Sequence, residues 1–131
     1  MARILVVEDN EANQELITRF LRREGYEVFQ AADGVTGVAL ALGKLPDLIL
    51  MDLSLPELDG WEATRQIRAN PVTATIPIIA LTAHAFAEDV INALQAGCNQ
   101  YETKPLVYGR LIKKIRALLN PGTKAVKVPS G

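Results

Sequence analysis

At 131 residues, with 49% hydrophobic and 22% charged side chains, the chain has the makeup of one folded domain rather than of a disordered segment. A formal net charge of −1 removes any global drive toward nucleic acid or an anionic membrane, and a single cysteine, Cys98, excludes an intramolecular disulfide. No apolar run approaches the roughly 20 residues needed to span a bilayer, and Met1-Ala2-Arg3 lacks signal-peptide architecture, so the chain reads as soluble and cytoplasmic with no membrane insertion.

Apolar runs and helical patterns then alternate five times. Arg3–Val7 reads as a strand ended by Glu8-Asp9. Asn10 is placed to cap a helix in which Leu16, Ile17, Phe20 and Leu21 recur at helical spacing as far as Gly25. Glu27–Ala31 is a second strand, and Asp33-Gly34 opens an alanine-rich helix stopped by Gly43 and Pro46. Asp47–Met51 is a third strand, whose run Leu48-Ile49-Leu50-Met51 suits burial on both faces and ends abruptly in Asp52. A loop built around Pro56 and Asp59-Gly60 leads to a helix reaching about Asn70, ahead of Pro71. Ile76–Leu81 is the fourth strand, followed by a helix from about Phe86 to Ala96 with Gly97 at its end. Asn99–Glu102 is a short fifth strand, and a last helix carrying Val107, Leu111, Ile115 and Leu118 ends at Asn120-Pro121-Gly122. Five βα units joined by short loops imply a doubly wound α/β fold, a parallel sheet with helices on both faces. Residues 1–120 are expected to form this domain, and 121–131, without periodicity, a flexible C-terminal tail.

A parallel sheet brings the carboxyl ends of its strands to one edge, where open α/β folds place their chemistry. Four such ends carry reactive groups here: Glu8-Asp9, Asp52, Thr82 and Lys104-Pro105. Three converging carboxylates repel one another, and a hard cation with oxygen ligands relieves that repulsion. Mg²⁺ suits the task because it accepts a few carboxylates, keeps waters and bridges to phosphate. Asp52 is then a candidate nucleophile toward phosphorus. Mg²⁺ and the Lys104 ammonium would neutralise charge on the transferring group, and the Thr82 hydroxyl would donate to a phosphate oxygen.

Val6-Val7-Glu8-Asp9-Asn10, Asp52-Leu53-Ser54-Leu55-Pro56-Glu57-Leu58-Asp59-Gly60, Leu81-Thr82-Ala83 and Lys104-Pro105 together resemble the receiver domain of two-component response regulators, over about residues 2–120. The resemblance implies a flavodoxin-like three-layer sandwich with strand order 2-1-3-4-5. It implies a stand-alone, single-domain regulator that accepts a phosphoryl group on Asp52 from a histidine kinase or histidine phosphotransfer protein. Asp9 and Asp52 would hold Mg²⁺ directly (Mn²⁺ being able to substitute), Ser54 through its backbone carbonyl and Glu8 mainly through water. Lys104 would pair with the phosphoryl group, and the Lys104-Pro105 peptide is expected to be cis. Thr82 and Tyr101 match a coupled switch pair that biases a surface made of the fourth helix, fifth strand and fifth helix. Such a switch is not an enzyme with a separate substrate: it catalyses only its own phosphorylation and autodephosphorylation. Its output passes to an unknown downstream protein without direct nucleic-acid contact, as a monomer or a phosphorylation-dependent dimer. Ser54 and His84 stand at positions that vary in the family and help set the phosphoryl lifetime.

Other features have plainer readings. Cys98 reads as a small buried residue, His84 as an exposed residue at a helix entrance, and Trp61 as a cover over the start of the third helix. Phe86, Val90 and Leu94, at four-residue spacing, read as core, and the basic residues of the last helix (Arg110, Lys113, Lys114, Arg116) as a solvated face. Gly34-Val35-Thr36-Gly37 lacks the Lys-Ser/Thr of a P-loop. The rival functions are a receiver fragment of a longer hybrid kinase or transcription factor, a Mg²⁺-dependent phosphohydrolase with an aspartyl-phosphate intermediate, and a flavodoxin-like cofactor binder. The phosphohydrolase is disfavoured by Ser54, which stands where haloacid-dehalogenase-like enzymes carry a second aspartate. The acidic cluster would repel the phosphate of a flavin cofactor.

Overall fold

A computed structural model gives the fold over residues 1–55, 58–83 and 87–120. The elements alternate as β1 (Arg3–Val7), α1 (Glu11–Arg23), β2 (Glu27–Ala31), α2 (Gly34–Lys44), β3 (Leu48–Asp52), α3 (Gly60–Ala69), β4 (Ile78–Thr82), α4 (Ala87–Ala96), β5 (Gln100–Thr103) and α5 (Tyr108–Leu119). All five strands are parallel, in the order β2-β1-β3-β4-β5, which is the expected doubly wound topology.

The strand sequences account for this arrangement. Ile4–Val7, Leu48–Met51 and Ile78–Leu81 are fully buried apolar runs, which are stable as central strands covered on both faces. Alternation along each strand sorts their side chains into two cores. Leu5, Val7, Ile49, Met51, Ile78 and Ala80 pack with Ala41 of α2, Ala63 and Ile67 of α3 and Ala93 of α4. Ile4, Val6, Leu48, Leu50, Ile79 and Leu81 pack with Ile17 and Leu21 of α1 and Leu111 and Ile115 of α5. Three layers result, with α2, α3 and α4 on one side of the sheet and α1 and α5 on the other.

The helix entrances follow their capping residues. Asn10, Asp33 and Asp59 accept hydrogen bonds from the backbone N–H of Asn13 (2.9 Å), Thr36 (2.7 Å) and Glu62 (2.9 Å). Beyond α1, Gly25 adopts φ 95° as the expected stop. The end of α2 differs from expectation. Gly43 lies inside the helix, and the left-handed residue is Leu45 at φ 48°, whose carbonyl accepts from the Arg3 guanidinium at 2.9 Å.

Two apolar patterns each leave members outside the core. Leu16 is exposed on α1, and on α4 Leu94 and Ile91 are 47% and 51% exposed while the small Ala93 and Ala96 face inward. The four-residue stripe is thus not the buried face of α4, which approaches the sheet closely through alanines. Phe86 and His84 lie outside the described residues, as do Pro56 and the expected tail 121–131.

Candidate functional site

Strand register builds the site. Val7 lies beside Met51, Asp52 beside Leu81 and Thr82 beside Thr103, so Glu8, Asp52, Thr82 and Lys104 reach one edge. The turn carrying Glu8 and Asp9 is fixed from below by Gln14, whose Nε2 donates to the carbonyls of Val6 (3.2 Å), Glu8 (3.3 Å) and Ala31 (3.1 Å). Asp52 is fixed by its own loop, since Ser54 N–H donates to Oδ1 at 3.0 Å. Gly60 closes the other side. A Cβ there would run into the Asp52 carbonyl oxygen and come within 2.7 Å of Leu53 Cα, so glycine is needed for α3 to start this close to Asp52.

Lys104 sits at the centre. Its ammonium donates to Glu8 Oε1 at 2.7 Å and to Asp52 Oδ2 at 3.2 Å, while Asn10 N–H donates to Glu8 Oε2 at 3.2 Å. The Lys104-Pro105 peptide is cis, as expected, and Lys104 N–H donates to the Thr82 carbonyl at 2.8 Å. Glu8 and Asp52 are 1% and 2% exposed, whereas Asp9 is exposed. Burial pushes the Glu8 carboxyl above the usual carboxylate range, and the nearby Asp52 charge adds to this against the Lys104 hydrogen bond. For Lys104 burial acts downward, but the Glu8 hydrogen bond and the Asp52 charge outweigh it and raise its pKa. One cation gains from two carboxylates that repel each other.

Carboxylate oxygens of Glu8, Asp9 and Asp52 all lie within 4.8 Å of one another. The donors are hard oxygens, and three carboxylates against one ammonium leave an excess of two negative charges, matching one divalent cation. This set fits Mg²⁺. Thr82 is buried at the same edge, and Tyr101 is partly buried against the core layer of α2, α3 and α4. Ser54 lies beside Asp52 with its side chain exposed. Trp61 packs over the same layer, and Cys98 is buried as expected, its thiol 3.7 Å from Thr64 Oγ1 and pushed up in pKa by burial.

Sequence reasoning missed Gln14, whose network depends on which helix face meets the turn. It also missed Glu102. The basic residues of α5, expected to form a solvated face, include Arg110 and Lys114, which pair instead with this buried carboxylate at 3.3 and 2.7 Å. The signal was an acidic residue inside a short strand.

Fold and sequence together place the chain in the response regulator receiver domain family, whose profile matches residues 4–116. Such domains are switches of two-component systems rather than enzymes with a separate substrate. Protein PilH of Pseudomonas aeruginosa is 39% identical over 119 residues, which cover 91% of this chain and 98% of PilH. The DNA-binding dual master transcriptional regulator RpaA of Synechocystis sp. is 40% identical over 119 residues, 91% of this chain but 49% of RpaA. The chain therefore spans about half the length of that relative. The crystal structure of the receiver domain of sensor histidine kinase PA1611 from P. aeruginosa PAO1 aligns with a TM-score of 0.85 at 45% identity, covering 91% of this chain and 98% of that one. That crystal structure has a magnesium ion coordinated in its active-site cleft. Among the described residues, no helix is long and apolar enough to cross a membrane.

Proposed function

We propose that Asp52 accepts a phosphoryl group from the imidazole of a histidine kinase or histidine phosphotransfer protein. The observation that carries this reading is the Lys104 ammonium held between Glu8 and Asp52, with Asp9 alongside. In the transfer an Asp52 carboxylate oxygen attacks phosphorus, and the P–N bond to the donor imidazole breaks. Ser54 N–H fixes Asp52 Oδ1, so the attacking oxygen is Oδ2, which the Lys104 ammonium contacts at 3.2 Å before transfer. Lys104 is placed to follow charge onto the incoming phosphoryl oxygens, and the Thr82 hydroxyl to donate to one of them. Asp9 and Asp52, with the Ser54 carbonyl, would hold Mg²⁺, and Glu8 would act mainly through water. When bound, the ion neutralises charge on the transferring group.

In this reading Thr82 and Tyr101 then relay the change to the surface of α4, β5 and α5, where a protein partner responds, and slow autodephosphorylation resets the switch. The domain acts this way whether it stands alone or belongs to a longer regulator; the length of the open reading frame decides between those two. The test is phosphotransfer from the host's histidine kinases and phosphotransfer proteins, run with and without Mg²⁺. Label should appear on the wild type only with Mg²⁺ and never on Asp52→Asn. Equal labelling of the two proteins would remove Asp52 as the acceptor.

A further inference from the structure

β5 is an edge strand, and edge strands leave a row of main-chain groups unpaired. Lys114 of α5 reaches this edge. Its ammonium donates to the Tyr101 carbonyl at 2.6 Å, lies 2.7 Å from Glu102 Oε2 and stands 5.1 Å from the centre of the Tyr101 ring. The ammonium thus makes one hydrogen bond, one ion pair and one contact with a ring face, and its side chain is only 28% exposed.

Tyr101 and Glu102 are consecutive strand residues and so face opposite sides of the sheet. Glu102 pairs in register with Leu81, on the layer of α1 and α5, while Tyr101 packs toward the layer of α2, α3 and α4. Lys114 touches both by passing around the edge. Its position is fixed from beneath: Glu102 is 2% exposed, and its other oxygen accepts from Arg110 Nε at 3.3 Å. A carboxylate this buried cannot release its cations without a large penalty. The Tyr101 ring is therefore held by a charge that is itself anchored.

We propose that Lys114 is a positioning residue that holds the Tyr101 ring in its resting orientation, with Glu102 fixing the ammonium. The pair thereby sets how readily Tyr101 turns when Asp52 gains a phosphoryl group. This inference rests on the switch role given to Tyr101 above. A lysine that only covered the strand edge would affect stability but not the ring. A cation–ring contact at a partly exposed site biases an equilibrium by about two- to fivefold.

The test uses the full chain labelled with 3-fluorotyrosine, whose three tyrosines are assigned with Tyr101→Phe. The Tyr101 fluorine shift is read at rest and during titration with beryllofluoride and Mg²⁺, a stand-in for the phosphoryl group. In Lys114→Met the resting shift should move part of the way toward the beryllofluoride-bound value, and the half-saturating concentration should fall about two- to fivefold. Lys114→Arg should keep wild-type behaviour. The double variant Glu102→Leu/Lys114→Met removes the ion pair without stranding a buried carboxylate, and should repeat the Lys114→Met result even if the single variant is unstable. A wild-type response left unchanged by Lys114→Met and by the double variant would overturn the clamp alone. A Tyr101 signal that ignores beryllofluoride in the wild type would overturn both the clamp and the switch reading.

Discussion

Glu8 is the residue whose setting most constrains the site. A carboxyl beside Asp52 with almost no exposure survives because Asn10 N–H and the Lys104 ammonium both reach it. Replacing Lys104 with methionine would leave two buried carboxylates without that cation. Without divalent metal, the loss should be on the order of 3 kcal/mol, read as a drop in the urea midpoint at unchanged slope. An unaltered midpoint would mean that the carboxylates do not depend on Lys104. Gly60 carries a second prediction, because the atoms a Cβ would strike belong to the Asp52 and Leu53 backbone rather than to a flexible side chain. Gly60→Ala should cost about 1–3 kcal/mol and weaken Mg²⁺ binding by displacing Asp52. Calorimetric titration checks the second effect, and wild-type affinity in the variant would separate Gly60 from the site.

The first three helices, α1, α2 and α3, each begin with a side chain that accepts a backbone hydrogen bond, whereas α5 opens at Val107 without one. Asp33 caps α2 through Thr36 N–H, and this hydrogen bond holds its carboxyl below the usual aspartate range. A folded-state pKa depressed in this way stabilises the protein above the unfolded value. The contribution disappears as the pH falls through the depressed value. Asp33→Ala should therefore destabilise the chain at neutral pH, with the difference shrinking below about pH 4, as urea denaturation at several pH values would show. A gap independent of pH would assign the effect to something other than the carboxylate. The fourth helix shows how packing overrides pattern. Alanines bring α4 down onto the sheet, so its larger apolar residues Ile91 and Leu94 remain outside.

At the scale of the whole molecule, the covered sheet governs access to Cys98 and the carboxylate cluster at its edge governs the response to Mg²⁺. Cys98 lies buried beside Thr64, with its thiol pKa raised by burial, so alkylation in native buffer should be slow and should track unfolding. Mass spectrometry over a urea series checks this, and labelling of the native protein at the rate of a free thiol would contradict it. Mg²⁺ at about a hundred times its Kd should add about 2.7 kcal/mol, and Asp52→Asn should forfeit most of that gain.

The five strands, the cap Asn10, the helix openings at Asp33-Gly34 and after Asp59-Gly60, and the meeting of Glu8, Asp9, Asp52, Thr82 and Lys104 at one sheet edge were legible because each rests on local information: unbroken apolar runs, capping chemistry and polar residues at strand ends. The parallel topology followed from alternation, since parallel strands need a crossover between them. Tertiary structure alone decided the rest. Gln14 meets three carbonyls, Lys114 rounds the sheet edge to Tyr101 and Glu102, Leu45 takes the left-handed turn, and Leu94 stays exposed. These outcomes depend on how closely a helix approaches the sheet and on which distant group lies opposite it. Periodicity along one segment carries no record of either.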